Sequence, residues 1–456
     1  MRKRNNNSSF ISLFIMMAIL GGGLYIYFSS TFERNKPVIT LSDNNGYWNL
    51  KKPLHLKLED DSGIKSYKVL MKNSEGDTTL VYEELLVAQK LVDLNIKPPR
   101  GSYALKDKEI QIIVQAQDVS KWNFFKGNIA VESYKLVIDK KRPQLSIVSN
   151  SYKISRGGSA LVIFKVSDDN LEDLYIESNH GKHFKAEPFY KEGYYIALLA
   201  WPVQDNGFKA TVVAKDSAGN VAKAYVPLYL KMKQYRVSKI KLSDKFLKGK
   251  IADLAEEFEE TQGVDNSLEQ FKIINEDVRA KNEALIHKFT SVVPDEMIST
   301  FKMKKMYPLK NGQVVARFGD HRKYYYDGQF ISEAYHLGLD LASHAMAPIK
   351  STNGGKVVFA DYNGLYGNMP IISHGLGLYT IYGHCSSLDI AAGDEVAPRE
   401  KIANTGKTGY AMGDHLHFGV LVQGIEVRPQ EWMDKKWIKL NIDDIIKKAK
   451  KIINAK

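Results

Sequence analysis

Between Arg4 and Glu33 the chain carries no charged residue, and within that gap Phe10 to Phe28 reads FISLFIMMAILGGGLYIYF. Nineteen helical residues rising about 1.5 Å each span roughly the 30 Å hydrocarbon core of a bilayer. A core helix is a poor fit beside a basic terminus. A cleaved signal has a shorter apolar core that ends in a small-residue site. This run instead ends in Tyr25, Tyr27 and Phe28, which favour a membrane interface. The expectation is an uncleaved transmembrane helix over 10–28. Arg2, Lys3 and Arg4, in the basic segment 1–9, stay cytoplasmic, and everything after residue 30 lies outside.

The length of 456 residues fits two to four domains, and 44% hydrophobic with 25% charged residues is the composition of folded protein. A single cysteine, Cys385, excludes a disulfide scaffold. Of the net charge of +12, residues 1–9 supply three and residues 435–456 supply six, so the rest is close to balanced. Nucleic-acid binding needs a basic face on a folded domain, and none is legible; nucleic acid is not an expected partner.

Residues 36–233 contain an internal repeat. Lys36-Pro37-Val38-Ile39-Thr40-Leu41 answers Arg142-Pro143-Gln144-Leu145-Ser146-Ile147, LKLEDDSGI answers FKVSDDNLE, and VQAQDVSKWN answers VVAKDSAGN, each about 100 residues apart. Short alternating runs ending in Asp/Ser/Gly/Asn turns predict strands. Two immunoglobulin-like β-sandwiches, 33–141 and 142–233, are expected, acting as spacers or ligand-presenting modules. Asp60-Asp61, Asp168-Asp169, Asp118 and Asp216 read as turn residues, with calcium ligation as the alternative.

Over 243–292 the period becomes helical. Ile251, Leu254 and Phe258 form one stripe, and Phe271, Ile274, Val278, Leu285 and Phe289 another, with Ser267-x-x-Gln270 as a capping box. This predicts a short linker of two helices joined around Gly263, packed on the next domain or covering its cleft. From 306 to 434 strands return, and fourteen of the 33 glycines lie between Gly338 and Gly424, so a compact, strongly turned β domain is expected. Residues 435–456 form a basic amphipathic tail that either contacts anionic lipid or wall polymer or is simply solvated. The fold class is mainly β.

Seven of the eleven histidines fall between His321 and His417. Three groups stand out: His336-Leu-Gly-Leu-Asp340, Tyr382-Gly383-His384, and His415-Leu416-His417 leading into a strand. Alternation along a strand turns His415 and His417 to one face. Imidazole and carboxylate are zinc ligands, and a hydrolytic zinc keeps three of them plus water. His336, Asp340 and one of His415 and His417 would make such a set. His344 is a weaker candidate; His321 and His374 read as surface or supporting residues.

HLGLD, IYGHCSSL and TGYAMGDHLHFGVLV resemble the motifs of the lysostaphin/LytM-type zinc endopeptidases, which cut peptide bonds in bacterial peptidoglycan. The likeness runs over roughly 310–434 and takes in FGDHR, Tyr366-Gly367-Asn368 and Arg428-Pro429. It implies one zinc per chain held by His336, Asp340 and His417, with His384 and His415 as catalytic histidines. Arg317, Tyr325 and Asn368 are expected along a substrate groove. An anchor and spacers ahead of such a domain are similar to Gram-negative wall hydrolases. That implies an inner-membrane protein facing the periplasm, peptidoglycan as its partner, a regulatory partner not identified by the sequence, and as the bond a D-alanyl–diaminopimelate cross-link in a Gram-negative wall, with a polyglycine bridge as the alternative. A catalytically silent regulator or wall-binding protein on the same fold is the alternative. Cys385 stands where leucine is more usual and should be tolerated; Met369-Pro370 should loosen a strand near the cleft.

Overall fold

The structure, a computed structural model, describes residues 7–42 and 45–455. Arg2, Lys3 and Arg4 lie outside the described residues. Asn7–Phe28 is one helix, with the apolar side chains of residues 10–28 exposed all round it. The chain divides into two compact units. The first comprises Met1–Pro143 with the loop tips Asp168–Glu172 and Lys215–Val221; the second comprises the remainder, Gln144–Lys456.

In the first unit, β1 (Val38–Ser42), β2 (Tyr47–Trp48), β3 (Leu54–Asn73), β4 (Gly76–Ile96), β5 (Glu109–Asp118) and β6 (Ile129–Ile138) form one sheet of order β1-β3-β5-β6-β2, with β4 on β3. Alternation buries Ile110, Ile112, Val114 and Ala116 on β5. The buried hydrophobic residues of β3 are Leu54, Leu56, Leu58 and Ile64, then Tyr67, Val69 and Met71. The parity change coincides with register shifts between Glu59 and Ser66, because an extra residue in a strand turns its later side chains to the other face.

The repeat is real at atomic level, though its last pairing shifts. Asp118 accepts from the backbone and side-chain amides of Asn128, whose Nδ2 also donates to the Glu33 carbonyl. Asp216 does the same with Asn220, which reaches the Asp139 carbonyl. The counterpart of Asn220 is therefore Asn128, not Asn123. Glu33, Asp60 and Asp118 converge, as do Asp139, Asp168 and Asp216. Asp60 and Asp168 also accept backbone N–H groups two residues on, which is turn chemistry.

Apart from the loop tips that belong to the first unit, the second unit begins with two four-stranded sheets. One runs His183–Lys185, Leu171–Ser178, Ala210–Asp216, Val221–Tyr225; the other Glu187–Pro188, Tyr194–Ala200, Ser159–Ser167, Gln144–Asn150. Val237–Lys241 then pairs parallel with Asp320–Tyr326, which pairs with Gln329–His336. Eight further strands build a sheet whose central members are Leu339–Ala342, Leu416–Val422, Leu378–Gly383 and Asn368–Ser373. Leu416–Val422 is buried along its whole length. Met369-Pro370 does not break its strand. Pro370 pairs with Ala360 on one side, and pairing on the other side starts only at Ile371.

The helical stretch is two helices, 244–257 and 267–290, turning at Gly263, whose φ is +76°. Asn266, one residue ahead of the expected cap, accepts from Leu268 and Glu269. A wide turn at Ile274–Val278 adds a residue and moves the buried position from Leu285 to Ile286. Leu247, Ile251, Phe271, Ile274 and Val278 share a core with Tyr324, Ala334 and Leu365 of the β domain. The helices are a wall of that domain rather than a connector. The tail helix, 435–454, buries Ile438, Ile442, Ile446, Ala449 and Ile453, and it lies against Gln144–Asn150 and Ser159–Ser167. Its apolar face is therefore used inside the protein; its lysines remain outside.

Candidate metal centre and active site

His336 ends Gln329–His336; Leu337 and Gly338 turn the chain back so that Asp340 enters Leu339–Ala342. Asp340 is the direct cross-strand partner of His417, which also stands opposite Gly383. All three candidate ligands are at most 8% exposed. His336 Nε2 lies 3.0 Å from Asp340 Oδ1 and 3.2 Å from His417 Nδ1, and His417 Nδ1 lies 2.8 Å from Asp340 Oδ1.

The protons on these groups matter. Nδ1–H of His336 donates to the Arg317 carbonyl at 2.9 Å, so the lone pair of neutral His336 sits on Nε2 and points at the cluster. Burial works to raise the Asp340 pKa, but the N–H groups and charge of His336 and His417, when those rings are protonated, outweigh it and hold the carboxylate well below its usual range. Burial keeps His417 below its usual value. Two imidazole lone pairs and a carboxylate oxygen aimed at one point form a donor set suited to a divalent cation. His417 also needs room: a Cβ on Gly338 would meet its ring at 2.4 Å.

His384 follows Leu378–Gly383 at φ 66°, a left-handed conformation unfavourable for a residue with a Cβ. Its backbone N–H donates to Tyr366, and its Nδ1–H to the Thr408 carbonyl at 2.9 Å. That leaves Nε2 facing the site. Burial, then the neighbouring His417 and His415, push its pKa down to about 3. His415 donates Nδ1–H to the Gly413 carbonyl, and its Nε2 lies 3.7 Å from Asp340 Oδ2. The His384 and His415 rings are 4.8 Å apart.

All five residues line one cavity of about 700 Å³. Its walls add residues that sequence reasoning missed: Arg279 and Phe246 from the helices, Arg322 and Tyr324 from Asp320–Tyr326, and Tyr410. Glu283, one turn beyond Arg279, hydrogen-bonds to Tyr366, whose ring stands edge-on to His417. Tyr324 could have been found by alternation, because it and Arg322 share a strand face. Nothing local marks Arg279, since it reaches the cavity only through helix packing.

Arg317, Tyr325 and Asn368 lie outside the cavity lining. Arg317 is exposed and contributes its carbonyl to His336. Tyr325 is on the strand face opposite Tyr324, and Asn368 donates to the Cys385 carbonyl. His344 is exposed and bonds to the adjacent Ala345 carbonyl. His321 stacks on Tyr335 and pairs with Glu333. His374 is bonded to Gly354 and Thr380. Cys385 is fully buried, and burial pushes its thiol up to about 12, so it is unreactive there.

Residues 334–429 match peptidase family M23. The DD-carboxypeptidase/endopeptidase Mpg of Neisseria meningitidis serogroup B is 35% identical over 94 residues, 21% of this chain and 22% of the relative. The peptidoglycan DD-endopeptidase ShyB of Vibrio cholerae serotype O1 is 35% identical over 111 residues, 24% of this chain and 25% of the relative. The murein hydrolase activator EnvC of Escherichia coli K12 is 28% identical over 110 residues, 24% and 26%. The chain thus spans about a quarter of the length of these curated relatives. With its motif residues gathered at one cavity, the C-terminal part of the chain is a peptidase family M23 domain of the LytM type.

Proposed function

We propose that the protein is a membrane-anchored zinc endopeptidase that hydrolyses peptide cross-links of peptidoglycan on the outer side of the inner membrane. The observation that carries this reading is the convergence of His336 Nε2, Asp340 Oδ1 and His417 Nδ1 beside two further histidines in one cavity. These three would hold one zinc ion, which when bound polarises a scissile carbonyl and lowers the pKa of water toward about 7.

The rest is done by the chain's own side chains. His384 and His415 each commit Nδ1–H to a backbone carbonyl and present Nε2 to the cavity. One can take the proton of the attacking water and the other can donate to the developing oxyanion or the leaving amine. Arg279 and Arg322 give the groove positive charge suited to the carboxylates of wall peptides. Arg317, exposed but outside the cavity lining, would meet the same substrate beyond the groove. Residues 10–28 tether the enzyme to the membrane, facing a peptidoglycan mesh that is itself too large to diffuse.

The test is zinc content and muropeptide digestion for the full chain in detergent, compared with His417→Ala. One zinc per chain and new uncross-linked products, both lost in the variant, are expected. Zinc without cleavage would overturn the enzyme reading in favour of a regulator, a role named for EnvC. Absence of zinc would overturn the metal assignment.

A further inference from the structure

The two repeats differ at one place. Ten residues separate Asp118 from Asn128, but only four separate Asp216 from Asn220, although both pairs make the same clamp. The extra residues include Lys121-Trp122-Asn123-Phe124-Phe125-Lys126. Asn123, Phe124 and Phe125 have φ of 52°, 55° and 68°, three consecutive left-handed residues with side chains, which L-residues adopt only against steric resistance. This backbone leaves Phe124 95% and Phe125 75% exposed. A turn that only joined two strands would need neither the insertion nor the exposed rings.

The turn is fastened to the segment that follows the apolar helix. Lys121 N–H donates to the Thr31 carbonyl at 2.8 Å. Ser120 Oγ and Asn128 Nδ2 both donate to the Glu33 carbonyl, at 2.6 and 2.9 Å. The Phe125 and Phe32 rings are 6.4 Å apart, and the Arg34 guanidinium lies over both Tyr27 and Trp122. Residues 119–127 hold two lysines and no acid. Exposed aromatics flanked by cations, tied to the last turns of an apolar helix, match the chemistry of an anionic bilayer surface.

We propose that the Trp122–Phe125 turn is a second membrane contact. The rings of Phe124 and Phe125 enter the headgroup–acyl boundary of the bilayer that residues 10–28 span, while Arg34, Lys121 and Lys126 meet anionic headgroups. The proposal rests on the anchor reading. Its effect is to set the orientation of the first unit on the membrane, which a single helix with a free joint would leave open.

The test uses the full chain in vesicles of phosphatidylethanolamine and phosphatidylglycerol, with an environment-sensitive label on single introduced cysteines; buried Cys385 stays unlabelled. Labels go at Phe28→Cys, Phe124→Cys, Lys126→Cys (which keeps both rings) and Glu75→Cys. Glu75 lies beyond the end of β3 remote from Asp118, as the β3–β5 register pairs Ile64 with Asp118 and Lys72 with Gln111. Headgroup-depth nitroxide lipids should quench positions 28, 124 and 126 several-fold more than position 75. Quenching at 28 with 124 and 126 no different from 75 would overturn the turn's role and leave the anchor standing. No quenching at 28 would remove the anchor reading and the proposal with it. Shielding of 124 that follows protein concentration, not nitroxide lipid, would identify a second copy as the occupant and overturn the proposal.

Discussion

Oδ1 of Asp340 lies 2.8 Å from Nδ1 of His417, and the two residues are direct partners on neighbouring antiparallel strands. The sheet ladder, rather than a loop, sets their spacing, so two of the three donors are held in place before any ion arrives. His336 comes from a separate sheet and is oriented by a backbone carbonyl, which fixes its tautomer.

The tightest steric dependence of this arrangement is on Gly338. Gly338→Ala places a Cβ at 2.4 Å from the His417 ring. The ring must tilt, and zinc affinity should fall about 10–100-fold, the range for disturbing a ligand's support. Titration with a competing chelator measures it; unchanged affinity would mean that His417 is not a ligand.

His384→Ala removes an Nε2 that faces the cavity but leaves the three donors intact. Zinc content should stay at the wild-type level while turnover falls by about 10²–10⁴-fold, the usual contribution of a positioned acid or base. Metal analysis beside kcat separates the two effects, and loss of zinc in this variant would move His384 into the ligand set.

Arg279 belongs to the helical wall, outside the residues that match the family. Arg279→Ala should raise KM for carboxylate-bearing muropeptides by about 10–100-fold, as expected for one lost charged hydrogen bond, with a smaller change in kcat. The same variant on an uncharged peptide amide should behave like wild type. Equal effects on both substrates would rule out charge recognition.

Deleting 243–292 should abolish folding of the second unit, because Leu247, Ile251, Phe271 and Ile274 are at most 2% exposed in the shared core. Phe271→Ala alone should destabilise by about 3–5 kcal/mol. Thermal unfolding checks both, and a folded, more active deletion would identify the helices as a removable cover.

Glu431 is 4% exposed, and burial raises its pKa from 4.5 to about 7, against the opposing Ser159 N–H and Arg428. Between these values the unfolded chain has released the proton and the folded one has not. The contribution of Glu431 to stability is therefore fully present below pH 4.5 and is lost as pH rises through about 7, by roughly 3–4 kcal/mol at about 1.4 kcal/mol per unit. Glu431→Gln should unfold at higher temperature than wild type at pH 8 and close to it at pH 5.

The sequence alone singled out the histidines and the aspartate that the structure gathers at one cavity. HLGLD, His384 and His415-Leu416-His417 are local patterns, and local geometry already turns a strand's alternate residues to one side. The apolar span, the β character and the helical stretch were legible for the same reason: each is written in a period of two, in a period near 3.6, or in an unbroken apolar run. Tertiary structure alone decided what lies around the motifs. Asp340 meets His417 through a pairing of strands 77 residues apart, and no period encodes that register. Arg279 enters the cavity because a helix packs its apolar stripe against Tyr324, and Tyr324 rather than Tyr325 faces the groove because the strand's parity is set by that packing. The exposed rings of Phe124 and Phe125 were invisible in the sequence for the converse reason. An apolar residue in a sequence signals burial, and only the left-handed backbone of this turn places it outside.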